Sequence, residues 1–383
     1  TDLDSLIKSK YKLRQDYINA MYNLYNRGVV EPKILNKSLY ELVWKPIEPE
    51  LNGVKTIYYS PGGLFHRINL SAVRSSKNTT LADQFQLIEL NSTRQLTLPN
   101  HFNNTTNDAI LYGGIYYSVS DTAAFTDATQ NQQENLKDVS VDSTRGRSSW
   151  PFLEGTEREV RALNDILTNA GFNVTLKMGY DATEESFKAL GSSNETSPRI
   201  INIATHGFFF PDKVMQSKYT SQLLDESMDE PEFVISEQPM MRSGLILSNG
   251  NDTWQGKNIP TGKDDGILTA YEISQMNLSN TELVVLSACE TGLGDIQGNE
   301  GVYGLQRAFK IAGVKYIIMS LWQVPDLETS EFMISFYKNW LEVDPTSKQS
   351  INRSIPEAFR LAQKAMKDRF ISPYQWAGFV LVE

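Results

Sequence analysis

Two short stretches of the chain place reactive side chains directly after apolar runs. The run "IINIA" is followed by Thr205, His206 and Gly207, and the run "LVVLSA" is followed by Cys289, the only cysteine of the sequence. A thiolate rather than a thiol attacks a carbonyl carbon, and a free cysteine with a pKa near ~8.5 is only slightly ionised at neutral pH. An imidazole beside the thiol can take its proton and later return it to a departing amine, so these residue types predict a cysteine nucleophile with a histidine base.

The glycine beside the histidine extends this prediction to an oxyanion hole. Gly207 has no side chain, so a developing oxyanion can approach the backbone N–H groups around it. We therefore expect the backbone amides of Gly207 and Cys289 to bind the oxyanion.

Taken alone, these residues leave other interpretations open. A lone cysteine can instead be a small residue of the hydrophobic core or a redox sensor, and a lone histidine can have a structural role. His66 and His101 lie in the first half of the chain, where no nucleophile accompanies them, and we predict that both are structural. Three scattered histidines and one cysteine provide no ligand spacing typical of zinc, so the sequence predicts neither a metal nor an organic cofactor.

Acidic side chains flank the predicted nucleophile on two stretches. Asp295 and Glu300 follow the cysteine, and Asp326 and Glu328 follow "SLWQVP". Carboxylates in a cleft would favour a basic residue on the amino side of the scissile bond, so we predict that these four residues bind substrate. Two alternatives stay open: Asp326 is the N-cap of a helix that starts at 327, and Glu300 favours a helix start through the macrodipole.

The second half of the chain alternates between helical and strand-like patterns. The predicted helices cover residues 155–170, 182–190, 300–312, 326–342 and 354–369, and the predicted strands are "FNVTLKM", "RIINIA", "ELVVLSA", "YIIMSLW" and "GFVLVE". Continuous apolar strands that alternate with helices predict the α/β class, with a mainly parallel sheet flanked by helices. The carboxyl ends of such strands meet at one edge, so His206 and Cys289 lie close together if their two strands are neighbours.

The first half of the chain has a different pattern. Residues 3–27 predict one amphipathic helix, and residues 40–119 contain short strand-like runs that begin with "YELVWKPI" and "KTIYYSPGGLFHRINL". In the second run, "SPGG" predicts a turn between two antiparallel strands. Residues 120–149 are polar and predict a linker.

Composition excludes several classes of function. The net charge of -10 disfavours the basic surface that nucleic-acid binding needs, and no apolar run reaches the ~18 residues that span a membrane. A single cysteine cannot form an internal disulfide, which is typical of a reducing, cytoplasmic location. The chain starts without an initiator Met or a signal-peptide pattern, so we interpret it as a fragment of a longer protein.

Several spaced motifs together resemble the CHAT family of caspase-like cysteine peptidases, which are often attached to tetratricopeptide repeats. The motifs are "NIATHGFFFPD", "DDGILTAYEI", "LSACETG", "SLWQVPD" and "SPYQWAGFVLV". The resemblance implies a caspase-hemoglobinase-like fold in which a degenerate caspase-like half precedes the active one, as also in separase. It implies that His206 is the general base and Cys289 the nucleophile of an endopeptidase that cleaves proteins or peptides under the control of a repeat region or another regulatory protein.

The same resemblance implies three domains. Residues 1–35 would be the remnant of a repeat array or a connector to it, residues 36–149 the degenerate subdomain with its linker, and residues 150–383 the protease subdomain. The long stretch between His206 and "GLILSN" is either a gate over the site or a passive insertion. The motif "STRGRSS" in the linker is a hypothetical self-cleavage site.

Two functions of other classes are alternatives to a peptidase. The first is a catalytically silent scaffold or signalling module, which the presence of both His206 and Cys289 disfavours. The second is a nucleotide-binding domain, which we discard because no strand is followed by GxxxxGK[ST] or GxGxxG.

Overall fold

The computed structural model describes residues 38–62, 65–66, 68–77, 79–97, 106–118, 149–192, 195–210, 236–257, 262–288, 295–296, 302–322, 324–342, 353–369 and 373–383. These residues form two compact units. Residues 38–97 and 321–383 are termed the split unit, and residues 106–320 the continuous unit.

The split unit contains the parallel strands β1 (Thr56–Tyr59), β2 (Gln86–Glu89) and β13 (Phe379–Val382), in the order β1-β2-β13. Its first segment contains β1 (Thr56–Tyr59), α1 (Leu81–Gln84) and β2 (Gln86–Glu89), with a π-helical turn at Tyr40–Trp44 and 3₁₀ turns at Glu48–Leu51, Leu70–Ala72 and Thr93–Thr97. 

The continuous unit supplies most of the described strands. They are β3 (Asp108–Ile115), β4 (Asn173–Gly179), β5 (Ile200–Ala204), β6 (His206–Phe209), β7 (Ser243–Ile246), β8 (Ile267–Thr269), β9 (Leu283–Ser287), β10 (Asp295–Ile296), β11 (Val302–Tyr303) and β12 (Tyr316–Ser320). Its helices are α2 (Glu154–Asn169), α3 (Glu184–Lys188), α4 (Gly250–Trp254), α5 (Ala270–Ser274) and α6 (Leu305–Ile311), with a 3₁₀ turn at Pro239–Arg242. The second segment of the split unit adds α7 (Asp326–Trp340), α8 (Ile355–Arg369), α9 (Pro373–Trp376) and β13 (Phe379–Val382).

Five parallel strands form the main sheet of the continuous unit, in the order β12-β9-β5-β3-β4. Every residue of β5 and β9 is buried, as expected of strands covered on both faces. Strands β6, β7 and β8 form a separate antiparallel sheet, and β10 pairs with β11. This arrangement confirms the predicted α/β class with a mainly parallel sheet and flanking helices.

Helix α2 packs on β3, β4 and β5 of the main sheet. Gly113 permits this close approach, because a Cβ atom there would lie 2.6 Å from a methyl carbon of Val160 and 2.8 Å from the backbone oxygen of Thr156. The hydroxyl of Thr156 also accepts a hydrogen bond of 3.0 Å from the backbone N–H of Gly114. The sheet and the helix are therefore in direct backbone-level contact.

Three local predictions are wrong. The stretch "YELVW" forms the helical turn Tyr40–Trp44 rather than a strand. Strand β1 pairs in parallel with β2, because intervening helical turns bring the chain back in the same direction, so "SPGG" does not join β1 to an antiparallel neighbour. Residues 302–303 pair as β11, and therefore α6 begins at Leu305 and not at residue 300.

Other sequence predictions are not tested by the described residues. The helix predicted over 3–27 lies outside them, as do most of the linker over 120–149 and residues 211–235 of the long insertion. The predicted division into three domains assigns catalysis to residues 150–383. Both this assignment and the domain boundaries stay predictions. Within the described part of the chain, no helix is both long and apolar enough to cross a bilayer.

Candidate functional site

His206 lies at the point where the chain leaves the main sheet. Strand β5 ends at Ala204, and His206 is the first residue of β6. Between them, the buried hydroxyl of Thr205 donates a hydrogen bond to the backbone oxygen of Ile246 and accepts one of 2.9 Å from the hydroxyl of Tyr117. Thr205 therefore fixes the bend that directs His206 away from β5. The sequence placed His206 in a loop, whereas it belongs to a strand.

The imidazole of His206 has a defined hydrogen bond on one nitrogen. Its Nε2 atom lies 2.7 Å from the backbone oxygen of Pro151. A carbonyl oxygen can only accept, so Nε2 carries the proton and donates it. The other ring nitrogen, Nδ1, then holds the lone pair of the neutral imidazole and is the atom able to accept a proton.

Two aromatic rings pack against the imidazole of His206. The ring centroid of Tyr117 is 5.0 Å away and that of Trp150 is 4.9 Å away. Burial among these groups disfavours the charged form and lowers the pKa of His206 to about 4, although the hydrogen bond to Pro151 acts in the opposite direction. At neutral pH the imidazole is therefore uncharged and can act as a base.

The strand that leads to Cys289 is the immediate neighbour of β5. Strands β5 and β9 pair in parallel from Ile200 with Leu283 to Ala204 with Ser287. His206 and Cys289 are thus each two residues beyond a pair of aligned strand ends. Cys289 itself lies outside the described residues.

Buried side chains fix the two residues that precede Cys289. The hydroxyl of Ser287 donates to a carboxylate oxygen of Glu159 at 2.7 Å. The backbone oxygen of Ala288 accepts a hydrogen bond of 2.6 Å from the hydroxyl of Ser320 on β12. The end of β9 is therefore held from the side of α2 and from the neighbouring strand.

Glu159 joins β9 to β5. Its second carboxylate oxygen accepts a hydrogen bond of 3.0 Å from the side-chain amide of Asn202, and both side chains are buried. Glu159 is not among the residues predicted from the sequence. The available signal was its place in α2 beside Val160 and one turn from Leu163, both of which are buried, since a carboxylate in that position needs polar partners.

Gly207 directs its backbone N–H away from β7. The N–H of Phe210 donates to the backbone oxygen of Arg242 at 2.8 Å, which places Phe210 on the side of β6 that bonds to β7. Successive N–H groups of an antiparallel strand point to opposite edges, so that of Gly207 points to the other edge. This amide is not used by the ladder between β6 and β7.

The four predicted acidic residues have different places in the chain. Asp295 begins β10, and Glu300 lies outside the described residues. Asp326 is the first residue of α7, so Pro325 rather than Asp326 occupies the position before the helix. Glu328 accepts a hydrogen bond of 3.2 Å from Gln375 within the split unit. Their predicted role in substrate binding stays a prediction.

A second group of charges lies in the continuous unit around Lys188. Its ammonium group is 3.2 Å from Glu184, 3.1 Å from Asp264 and 3.3 Å from Glu272. Burial raises the pKa of Glu184 to about 9, and a carboxylate oxygen of Glu184 accepts a bond of 2.9 Å from the N–H of Gly266. These contacts link α3, α5 and the start of β8. Among the described residues, no group of His, Cys, Asp and Glu side chains is suited to hold a metal ion.

The fold of this chain is similar to that of a solved cysteine proteinase. One similar solved structure is gingipain R (RgpB), an Arg specific cysteine proteinase, with a TM-score of 0.50 and 10% sequence identity over 96% of this chain and 74% of that chain. At this identity the likeness concerns the fold alone.

The family model of the CHAT domain matches residues 33–383, and the chain belongs to that family. Two curated relatives are both named tetratricopeptide repeat protein 28. The protein from Mus musculus is 32% identical and the one from Homo sapiens 30% identical, each over 116 residues that make up 30% of this chain. The match spans only 4% of the length of each relative.

Proposed function

We propose that the chain is a cysteine endopeptidase in which His206 and Cys289 form the catalytic pair. Nδ1 of His206 takes the thiol proton, and the sulfur attacks the carbonyl carbon of a peptide bond. The C–N bond then breaks as the imidazolium gives its proton to the departing amine, which leaves an acyl-enzyme. His206 next takes a proton from water, the hydroxide displaces the sulfur as the acyl group is released as an acid, and the thiol recovers its proton.

The observation that carries this proposal is the state of the His206 imidazole. A base must be unprotonated, and it must present its lone pair rather than its N–H to the thiol. The hydrogen bond of 2.7 Å from Nε2 to Pro151 supports the second requirement. Burial lowers the pKa of His206, which keeps the imidazole unprotonated at neutral pH but also makes it a weaker base. The pairing of β5 with β9 supports proximity of the two residues.

The oxyanion of the tetrahedral intermediate would bind to the backbone amides of Gly207 and Cys289. Support comes from the direction of the Gly207 N–H, which points away from β7. Two amides that already point at the developing charge stabilise it without reorganisation.

The substrate class in this proposal is a protein or peptide with a basic residue on the amino side of the cleaved bond. The candidates for this recognition are Asp295 and Glu300 in the continuous unit and, as a separate pair, Asp326 and Glu328 in the split unit. We also propose control by a tetratricopeptide repeat region or another regulatory protein, in line with the names of the two curated relatives. A cytoplasmic location belongs to the same proposal, and no cofactor is required.

Hydrolysis of a fluorogenic peptide library tests this function. The wild-type chain should cleave peptides, with faster turnover for Arg or Lys than for Asp or Leu at the position before the reporter. Cys289→Ala should abolish cleavage, and His206→Gln should lower kcat by roughly 10²- to 10⁴-fold. Equal turnover of all peptide classes would remove the proposed preference for a basic residue but leave the catalytic pair. Turnover that is insensitive to both substitutions would contradict the proposed catalytic pair, and a folded wild-type chain that cleaves none of the peptides would contradict the peptidase and favour a silent scaffold.

A further inference from the structure

The amide side chain of Asn251 is linked to His206 through the backbone of Trp150 and Pro151. The carboxamide of Asn251 makes two hydrogen bonds to Trp150. Its oxygen accepts the backbone N–H at 2.6 Å, and its nitrogen donates to the backbone oxygen at 2.9 Å. The side chain of Asn251 thus binds both the backbone N–H and the backbone oxygen of Trp150.

The position of Asn251 is itself fixed. It is 1% exposed, and its backbone N–H donates to the backbone oxygen of Tyr117 at 3.1 Å. It lies in α4, which follows the left-handed residue Asn249. Trp254 of the same helix packs its ring 4.9 Å from that of Trp150. Helix α4 therefore holds Trp150 by its backbone and by its indole.

Trp150 and the residue after it supply two of the contacts of His206. Its indole packs against the imidazole, and the next residue, Pro151, supplies the carbonyl oxygen that accepts the Nε2 proton. Outside helices and strands, a segment such as 149–153 has no ladder of its own to fix the direction of that carbonyl. The two bonds from Asn251 supply the missing constraint.

We propose that Asn251 is a positioning residue for His206, which selects the Nε2–H tautomer by holding the Trp150 backbone and thereby aiming the Pro151 carbonyl. This inference rests on the proposed function for its consequence in catalysis. Its structural content, the tautomer of one histidine, can be measured without any substrate.

The test is the ¹⁵N spectrum of histidine-labelled full chain, which contains only three histidines. The His206 signals are identified by their loss in His206→Gln. In the wild type we expect a protonated Nε2 and an unprotonated Nδ1. In Asn251→Ala we expect signals averaged between the two tautomers, and a fall in kcat of roughly 10- to 100-fold with KM little changed, as for other partners that orient a histidine.

Two further variants keep the test decisive. Asn251→Asp retains an acceptor for the Trp150 N–H but places a carboxylate oxygen against the Trp150 carbonyl, so it should also shift the His206 tautomer. This variant replaces Asn251→Ala in the test if Asn251→Ala does not fold. Asn280→Ala is the matched control, because Asn280 is a buried amide that donates to Ser197 at 2.7 Å before the start of β9. That substitution should lower stability and leave the His206 signals unchanged.

The outcomes separate this inference from the proposed function. A wild-type His206 with its proton on Nδ1, or Asn251 variants that are folded and keep wild-type His206 signals, would overturn the positioning role even if the chain cleaves peptides. Expected tautomers in a chain that cleaves nothing would support the positioning role and contradict the peptidase.

Discussion

The neutral state of His206 depends on the aromatic rings around it. Because burial beside Tyr117 and Trp150 lowers the pKa of His206 to about 4, the base stays unprotonated well below the usual value of 6.5. Protonation removes a general base, so kcat/KM should decline only as the pH approaches this lowered value. We expect the acid limb of the kcat/KM profile to lie nearer pH 4 than pH 6.5.

Removal of the Trp150 indole should shift the acid limb of the kcat/KM profile. Trp150→Ala admits water to the imidazole, so the pKa of His206 should rise and activity should be lost at a higher pH than in the wild type. Tyr180→Ala is the control, since Tyr180 packs on Tyr116 rather than on His206. An acid limb near 6.5 in the wild type, or one that Trp150→Ala leaves in place, would contradict this explanation of the pKa.

A buried carboxyl group joins the neighbouring strands β5 and β9. Glu159 of α2 binds Asn202 on β5 and Ser287 on β9. Glu159→Ala removes two buried hydrogen bonds and leaves their donors without these acceptors. We expect the free energy of unfolding to fall by roughly 2–4 kcal/mol, measured by denaturant titration.

A neighbouring glutamate provides the control for this prediction. Glu157 lies on the same helix, is more exposed, and pairs with Arg161 at 2.8 Å. Glu157→Ala should cost less than about 1 kcal/mol, as for other surface ion pairs. Similar losses for the two substitutions would show that the carboxylate of Glu159 does not join the strands.

The elements that sequence reasoning identified are those with a continuous apolar pattern. Strands β5 and β9 were predicted to within a residue at each end, because "IINIA" and "LVVLS" are buried on both faces. Strands β6 and β8 were missed as strands. They are three or four residues long and exist because they pair with β7, which is a tertiary contact that no local pattern contains.

The spacing of the sequence motifs was sufficient to predict the fold class and the family of the whole chain. Helix and strand alternation predicted the parallel sheet, and the motifs around His206 and Cys289 predicted the CHAT family, whose domain model spans residues 33–383. Trp150, Pro151 and Asn251 were not predicted as neighbours of the histidine. They come from two stretches far apart in the sequence, and only the fold brings them to one place.

Alkylation of the chain's only cysteine tests directly whether His206 activates Cys289. The measurement is the second-order rate constant for iodoacetamide at pH 7, in the wild type and in His206→Gln, with intact mass to confirm single labelling. A histidine base that takes the thiol proton as the sulfur attacks should make the wild-type rate faster than that of the variant. Equal rates in two folded proteins would contradict the pairing of these residues.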